Sequence, residues 1–249
     1  MIVTRPVGSG RALRRRILAA GGTALSLPGL AVRGAVDSKA AQRALGAART
    51  ADIAIFISPV AVRSALALQP RLRFARGSVL CAVGAATARA LARAGVGNAV
   101  WPQARQDSEG VLDMPELARL RGKRIALIGA PGGRELLPQA LRARGAKIEK
   151  IDVYRRAAPR LDRRHFDAIA QATPPLLTLV SSLQILANLR ALLPPAAFSR
   201  LTAGDIVVSS ARIGALARSM GFARVHIAQS AETGALVDAA ITALALHRL

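Results

Sequence analysis

The sequence predicts an α/β protein built on doubly wound, parallel sheets and divided into two similar halves. Three observations carry that prediction. Short Val/Ile-rich runs alternate with Ala/Leu/Arg-rich stretches of helical period along the whole chain, the pattern of strand–helix–strand units. At 249 residues the chain is long enough for two domains that each bury a core. Finally, the chain repeats itself. Gly10-Arg11-Ala12-Leu13 matches Gly133-Arg134-Glu135-Leu136, Leu18 matches Leu141, Gly22 matches Gly145 and Arg33 matches Arg156, all at a constant separation of 123 residues. Phe56-Ile57-Ser58 falls on Leu179-Val180-Ser181 at the same separation, so the repeat spans related halves.

The elements follow in order. Ile2 to Thr4 reads as a strand ended by Arg5-Pro6, since proline cannot continue a central ladder. Arg11 to Ala20 is helical, with Leu13, Ile17 and Ala20 in one stripe and Gly21-Gly22 as the stop. Thr23 to Leu27 is a strand, and Leu30 to Val36 is an extended link. Ser38 to Ala48 reads as a helix and Asp52 to Ile57 as a buried strand, and Ser58-Pro59 opens a helix as N-cap and first residue. Gly77 to Val83 is a strand, Gly84 leads into a helix ending at Gly95, and Ala99 to Trp101 is a short strand. Asp107 to about Leu120 reads as one helix, Lys123 to Ile128 as a strand, Arg134 to Arg144 as a helix and Lys147 to Val153 as a strand.

Tyr154 to Pro159 repeats the extended link. Asp162 to Ala172 is helical, Leu176 to Val180 a strand, and Leu183 to Leu193 a helix stopped by Pro194-Pro195. Ile206 to Val208, a helix from Ala211 to Met220, Val225 to Ile227 and a helix from Thr233 to Leu246 complete the pattern. The pieces run short, long, short, long. We therefore expect one discontinuous domain of residues 1–30 and 160–249, a second of 37–152, and connector strands at 31–36 and 153–159; a tandem split near residue 122 is the alternative.

The formal net charge of +22 comes from 36 Lys and Arg against 14 Asp and Glu. It fits a polyanionic partner, or arginine enrichment on solvated helix faces. The arginines are scattered over every helix and aromatics make up only 3%, which argues against nucleic acid as the partner. The lone Cys81 lies in an apolar run and is expected to be buried; it permits no internal disulfide, which suits a reducing cytoplasm. No run is long and apolar enough to span a bilayer, and the first residues read as a strand rather than a signal peptide.

In open α/β sheets, ligands bind beyond the carboxyl ends of the strands. The residues there are Thr4-Arg5, Ser58-Pro59, Gly84 to Thr87, Ser108 to Gly110, Gly132-Gly133, Ser181-Ser182 and Ser209-Ser210 followed by Arg212. Most open a helix, so backbone N–H groups and the helix dipole suit an anion; each is equally what plain capping requires. His165, His226 and His247 lack metal-ligand spacing, and no G-x-S-x-G or Walker motif occurs. The only tyrosine, Tyr154, stands at the second link beside the expected site and is the best proton donor.

The ordered set Val3-Thr4-Arg5-Pro6, Asp52 to Val62, Ala82 to Ala88, Asp107 to Leu112, Gly132 to Leu136 and Val153-Tyr154-Arg155-Arg156 resembles the uroporphyrinogen-III synthase family. The resemblance implies two flavodoxin-like domains joined by a two-stranded connector, with a cleft between them. It implies a cofactor-free, metal-free, monomeric lyase of tetrapyrrole biosynthesis acting on hydroxymethylbilane, a linear tetrapyrrole with eight carboxylates. The terminal hydroxyl is lost as water and the ring closes with inversion of ring D through a spiro intermediate. It further implies that Ser58, Thr87, Ser108, Tyr154 and Ser181 line the cleft, with Tyr154 the proton donor. Thr4, Arg5, Pro59, Gly84, Gly110, Gly132, Gly133, Ser182, Ser210 and Arg212 join them as expected substrate contacts. This chain departs from the family pattern at Ile57 and Val60, where Thr and Asn are common, and at Gly129-Ala130-Pro131. The rival readings are a non-catalytic binding protein for another polycarboxylate and a diverged, inactive relative.

Overall fold

The computed structural model describes residues 1–132 and 135–246. Two compact units emerge. One contains Met1–Val32 and the chain from Ala157 onward; the other is Arg33–Arg156.

The chain opens with β1 (Ile2–Val3), α1 (Arg11–Ala19) and β2 (Leu25–Ser26). Leu13 and Ile17, one turn apart, are fully buried, while Arg11, Arg14, Arg15 and Arg16 stay in water. Gly21 takes a φ of +76° just past the helix, the left-handed conformation that ends it. Next come β3 (Ala31–Gly34), α2 (Ser38–Ala48), β4 (Ile53–Phe56), α3 (Pro59–Leu68), β5 (Val79–Ala82) and α4 (Ala85–Arg93). The Asp37 carboxylate accepts from the Ala40 amide at 2.8 Å and so starts α2.

Two expectations fail in the following stretch. Ala99 to Trp101 forms no strand; Val100 makes a single parallel bridge to Cys81. Pro102 follows immediately, and without an N–H it cannot extend a ladder. The helix expected from Asp107 to about Leu120 is only α5 (Ser108–Leu112), followed by a 3₁₀ turn at Pro115–Leu117. Pro115 has no N–H to donate, and it pushes Met114 to ψ 137°, out of helical space.

The remainder is β6 (Arg124–Gly129), α6 (Leu136–Ala143), β7 (Lys147–Asp152), β8 (Tyr154–Ala157), α7 (Arg163–Gln171), β9 (Leu177–Val180), α8 (Leu183–Leu192), α9 (Pro195–Thr202), β10 (Asp205–Val208), α10 (Ala211–Ser219), β11 (Arg224–Ile227) and α11 (Thr233–Ala245). Helix α9 corrects the reading of Pro194-Pro195 as a plain stop. Pro195 occupies the first helical position, where an N–H is not needed, and Phe198 and Leu201 bury the helix. The expected start of α6 at Gly133-Arg134, and His247, lie outside the described residues. No described helix is long and apolar enough to cross a membrane.

In the first unit the strand order is β11-β10-β9-β1-β2, every neighbour parallel. Numbered within the unit, this is 2-1-3-4-5, the flavodoxin-like order. Both faces are covered. Val180, Ile206 and Val208 pack with Leu186, Leu189 and Phe198 on one side. Leu177, Leu179 and Val207 pack with Leu13, Ile17 and Val237 on the other. Such two-sided burial explains the continuous apolar strands. The second unit has the order β5-β4-β6-β7, again all parallel, with Ile53, Ile55 and Ile125 set against Leu117, Leu137 and Leu141.

The repeat maps onto these elements. Shifted by 123 residues, β3 lands on β8 end to end, β1 and β2 fall inside β6 and β7, and β4 falls on β9 to within a single residue. Each unit therefore joins the short piece of one repeat to the long piece of the other. The two equivalent strands β3 and β8 pair in a two-stranded sheet of their own.

Candidate functional site

The strand order points to a candidate site before any side chain does. In each unit it reverses at one point, between β1 and β9 in the first and between β4 and β6 in the second. There successive connections run to opposite faces and leave a crevice at the carboxyl ends of the strands.

In the second unit β4 runs into Ile57 and Ser58, and β6 into Gly129, Ala130 and Pro131. A cavity of about 360 Å³ opens at this reversal, lined by Ile57, Val83, Ser108, Gly129, Gly132 and Lys150, with Glu135, Asp152 and Arg156 also on its wall. A neighbouring cavity of about 370 Å³ shares Pro131, Lys150 and Asp152 and adds Asp37 and Tyr154. The departures at Ile57 and Gly129 face each other. The end of the Ile57 side chain fills the space beside Gly129, where a methyl would lie 2.3 Å from its Cδ1.

Tyr154 follows β7, is 4% exposed, and holds its hydroxyl 3.3 Å from Ser58 Oγ. The same Oγ accepts from the Ala61 amide at 3.0 Å, with Pro59 at the first helical position. One serine thus caps α3 and orients the phenol. Gly84 is extended, and Gln106 occupies the space beside it. The Gln106 Oε1 accepts from the Ala85 amide at 2.9 Å and would be 2.5 Å from a methyl at position 84. The start of α4 is therefore filled by the protein's own side chain. Thr87 is buried on that helix. Ser108 begins α5, whose cap is Asp107, accepting from the Gly110 amide at 2.8 Å. A methyl on Gly110 would overlap the Arg105 carbonyl, so this glycine is needed for room. Gly132 turns at φ +72°, and Gly133 lies outside the described residues.

In the first unit the fully buried Thr4 donates to the Leu179 carbonyl at 2.5 Å. That bond ties the end of β1 to β9 across the reversal, and the hydroxyl faces protein. Arg5 donates to the Ala231 carbonyl at 2.5 Å and to Thr233 Oγ1 at 3.4 Å. Its Nε is buried without a partner among the described residues, and desolvation lowers its pKa. Ser182 and Ser210 cap α8 and α10 by accepting from the amides of Ile185 at 3.2 Å and Ile213 at 3.4 Å. Ser181 is half-buried at the end of β9, and Arg212 is exposed on α10.

Of the expected residues, Ser108 and Gly132 share the 360 Å³ cavity at the strand reversal, while Ser58 and Tyr154 form a hydrogen-bonded pair beside its neighbour. Sequence reasoning missed Lys150, Asp152 and Arg156. The available signal was the spacing of Lys150 and Asp152, two residues apart on one face of the last strand of the unit.

Comparison with known proteins adds the following. The family described as Uroporphyrinogen-III synthase HemD matches residues 11–238. The uroporphyrinogen-III synthase of Escherichia coli (strain K12) is 30% identical over 243 residues, which is 96% of this chain and 98% of that protein. The Salmonella typhimurium protein of the same name is 31% identical over 247 residues, with equal coverage. Among solved structures, the uroporphyrinogen-III synthetase of Helicobacter pylori superposes with a TM-score of 0.63 at 15% identity, covering 97% of this chain and 98% of that one. A mutant uroporphyrinogen III synthase of Thermus thermophilus gives 0.60 at 19% identity, covering 98% and 97%. At these identities the structures speak to fold alone.

Proposed function

The chain belongs to the uroporphyrinogen-III synthase family, and from that membership we propose that it cyclises hydroxymethylbilane to uroporphyrinogen III. The observation that carries the proposal is the near-full-length match to the family, together with a fold shared with proteins of that name.

The chemistry asks little covalent help of the protein. The carbinol C–O bond breaks as the pyrrole nitrogen pushes electrons in, and a proton delivered to the oxygen lets it leave as water. The cationic azafulvene is then attacked by ring D. The spiro intermediate rearranges with ring D inverted, and a proton is lost as the pyrrole recovers its aromaticity. The main task is to hold one conformation of a flexible chain. Cavity walls carrying Lys150, Arg156 and Ser108 suit carboxylate groups. Tyr154 is our proton donor to the leaving hydroxyl, held by Ser58. The proton lost on aromatisation restores the phenol.

The assay generates hydroxymethylbilane in situ, adds the protein and separates type I from type III product. Excess type III supports the activity; type I alone, with folded protein, removes it and leaves a polycarboxylate-binding role. For the donor, Tyr154→Phe is expected to lower turnover roughly 100-fold without loss of fold. Unchanged turnover would take that role from Tyr154.

A further inference from the structure

Lys150 lies on β7, the edge strand of the second unit's sheet, opposite Leu127, with Asp152 opposite Gly129. Residues two apart on a strand share a face, and all four of these line the 360 Å³ cavity. The Lys150 ammonium donates to both oxygens of Glu135, each at 2.7 Å. Glu135 occupies the N-cap position of α6, yet its side chain makes no capping bond. Its carboxylate is turned to the lysine instead. The Lys150 and Glu135 side chains are 38% and 54% exposed, so the pair stays hydrated and contributes little to stability. It is a hydrated ion pair placed at the crevice.

We infer that Lys150 is a carboxylate-selecting residue of this cavity, and that Glu135 is the internal partner a substrate carboxylate displaces. This rests on the proposed activity. A carboxylate of the linear tetrapyrrole presents the same two oxygens that Glu135 presents and exchanges one ion pair for another. Glu135 and Asp152 keep the cavity from being purely cationic, so an anion must compete for its place. The selection favours a carboxylate able to reach Lys150 over any anion held by net charge alone.

The test is the dependence of type III formation on hydroxymethylbilane concentration in the full chain. Lys150→Met keeps the apolar stem and removes the charge. It is expected to raise KM roughly three- to ten-fold, with a much smaller change in kcat. Glu135→Gln frees the ammonium and is expected to lower KM roughly two-fold or more. Lys150→Arg is expected to retain most of the affinity. A structural strut would make the first two variants move KM in the same direction and lower Tm together. That outcome, or an unchanged KM in Lys150→Met while type III still forms, overturns the inference. Wild-type protein that gives only type I sinks the underlying activity instead, and the unmutated control reveals it first.

Discussion

Cys81 shows how far one side chain's behaviour follows from its surroundings. It is wholly buried in β5, and desolvation, helped by the negative charge of Glu116, pushes its thiol up to about 12. The unfolded thiol titrates near about 8.5. A folded pKa above the unfolded one means the native state holds its proton longer. The stability it contributes is therefore full below about pH 8.5 and is lost as pH rises toward 12. Native protein at about pH 8 is expected to resist iodoacetamide and to label fully in denaturant, as read by mass spectrometry. Wild type should also lose stability more steeply than Cys81→Ala between about pH 9 and 11 in urea titrations. The burial of Cys81 was legible from its apolar neighbours. The fate of the strand-end hydroxyls was less so. Ser58, Ser182 and Ser210 stood out as polar residues ahead of helices, and the structure spends each on an amide three residues on. A local sequence pattern shows the cap but not what else the hydroxyl touches, and the Ser58–Tyr154 contact joins residues 96 positions apart. The spacing of Lys150 and Asp152 puts them on one face of β7, but it does not show what that face meets. In Lys-Ile-Glu-Lys-Ile-Asp every charge looks solvent-facing until the facing strand is known.

Elements were readable where one local rule dominated and misread where two competed. Helix α2 runs Ser38–Ala48 as the pattern predicts, because an Asp N-cap and buried Ala41 and Leu45 agree. In α5 the apolar period continued past Leu112, but proline at 115 outweighed it. At α9 a proline pair that reads as a stop also begins the next helix. Gly46 offers a clean test of element-scale energetics. It lies inside α2, and a methyl there meets nothing within 4 Å. Gly46→Ala removes backbone freedom from the unfolded chain without a clash. It is expected to stabilise by about 0.5–1 kcal/mol, seen as a Tm rise of roughly 2 °C in calorimetry. A fall in Tm would show that α2 is held by something other than its own propensity.

At the scale of the whole molecule, the repeat made both strand–helix alternation and pairwise equivalence legible, since β3 and β8 coincide under one shift. Strand order was not legible, because parallel neighbours need not be neighbours in sequence. The consequence is unequal independence of the two units. Residues 33–156 contain every strand of their sheet and a buried core of their own. Expressed alone, they are expected to give a cooperative thermal transition by circular dichroism. Residues 157–249 lack β1 and β2, which leaves the edge of β9 unpaired and removes Leu13 and Ile17 from the core. That fragment is expected to stay unfolded or aggregate and to gain structure when residues 1–32 are added in trans. Autonomous folding of 157–249 would contradict this picture. The same wiring fixes an order of events during synthesis. As the polypeptide leaves the ribosome, β1, α1 and β2 appear first, yet the strand that β1 must pair with, β9, is made only after the entire second unit. At translation speeds of about 5–20 residues per second, the leading segment waits on the order of ten seconds for its partner. During that wait, the exposed arginines of α1 keep it in water.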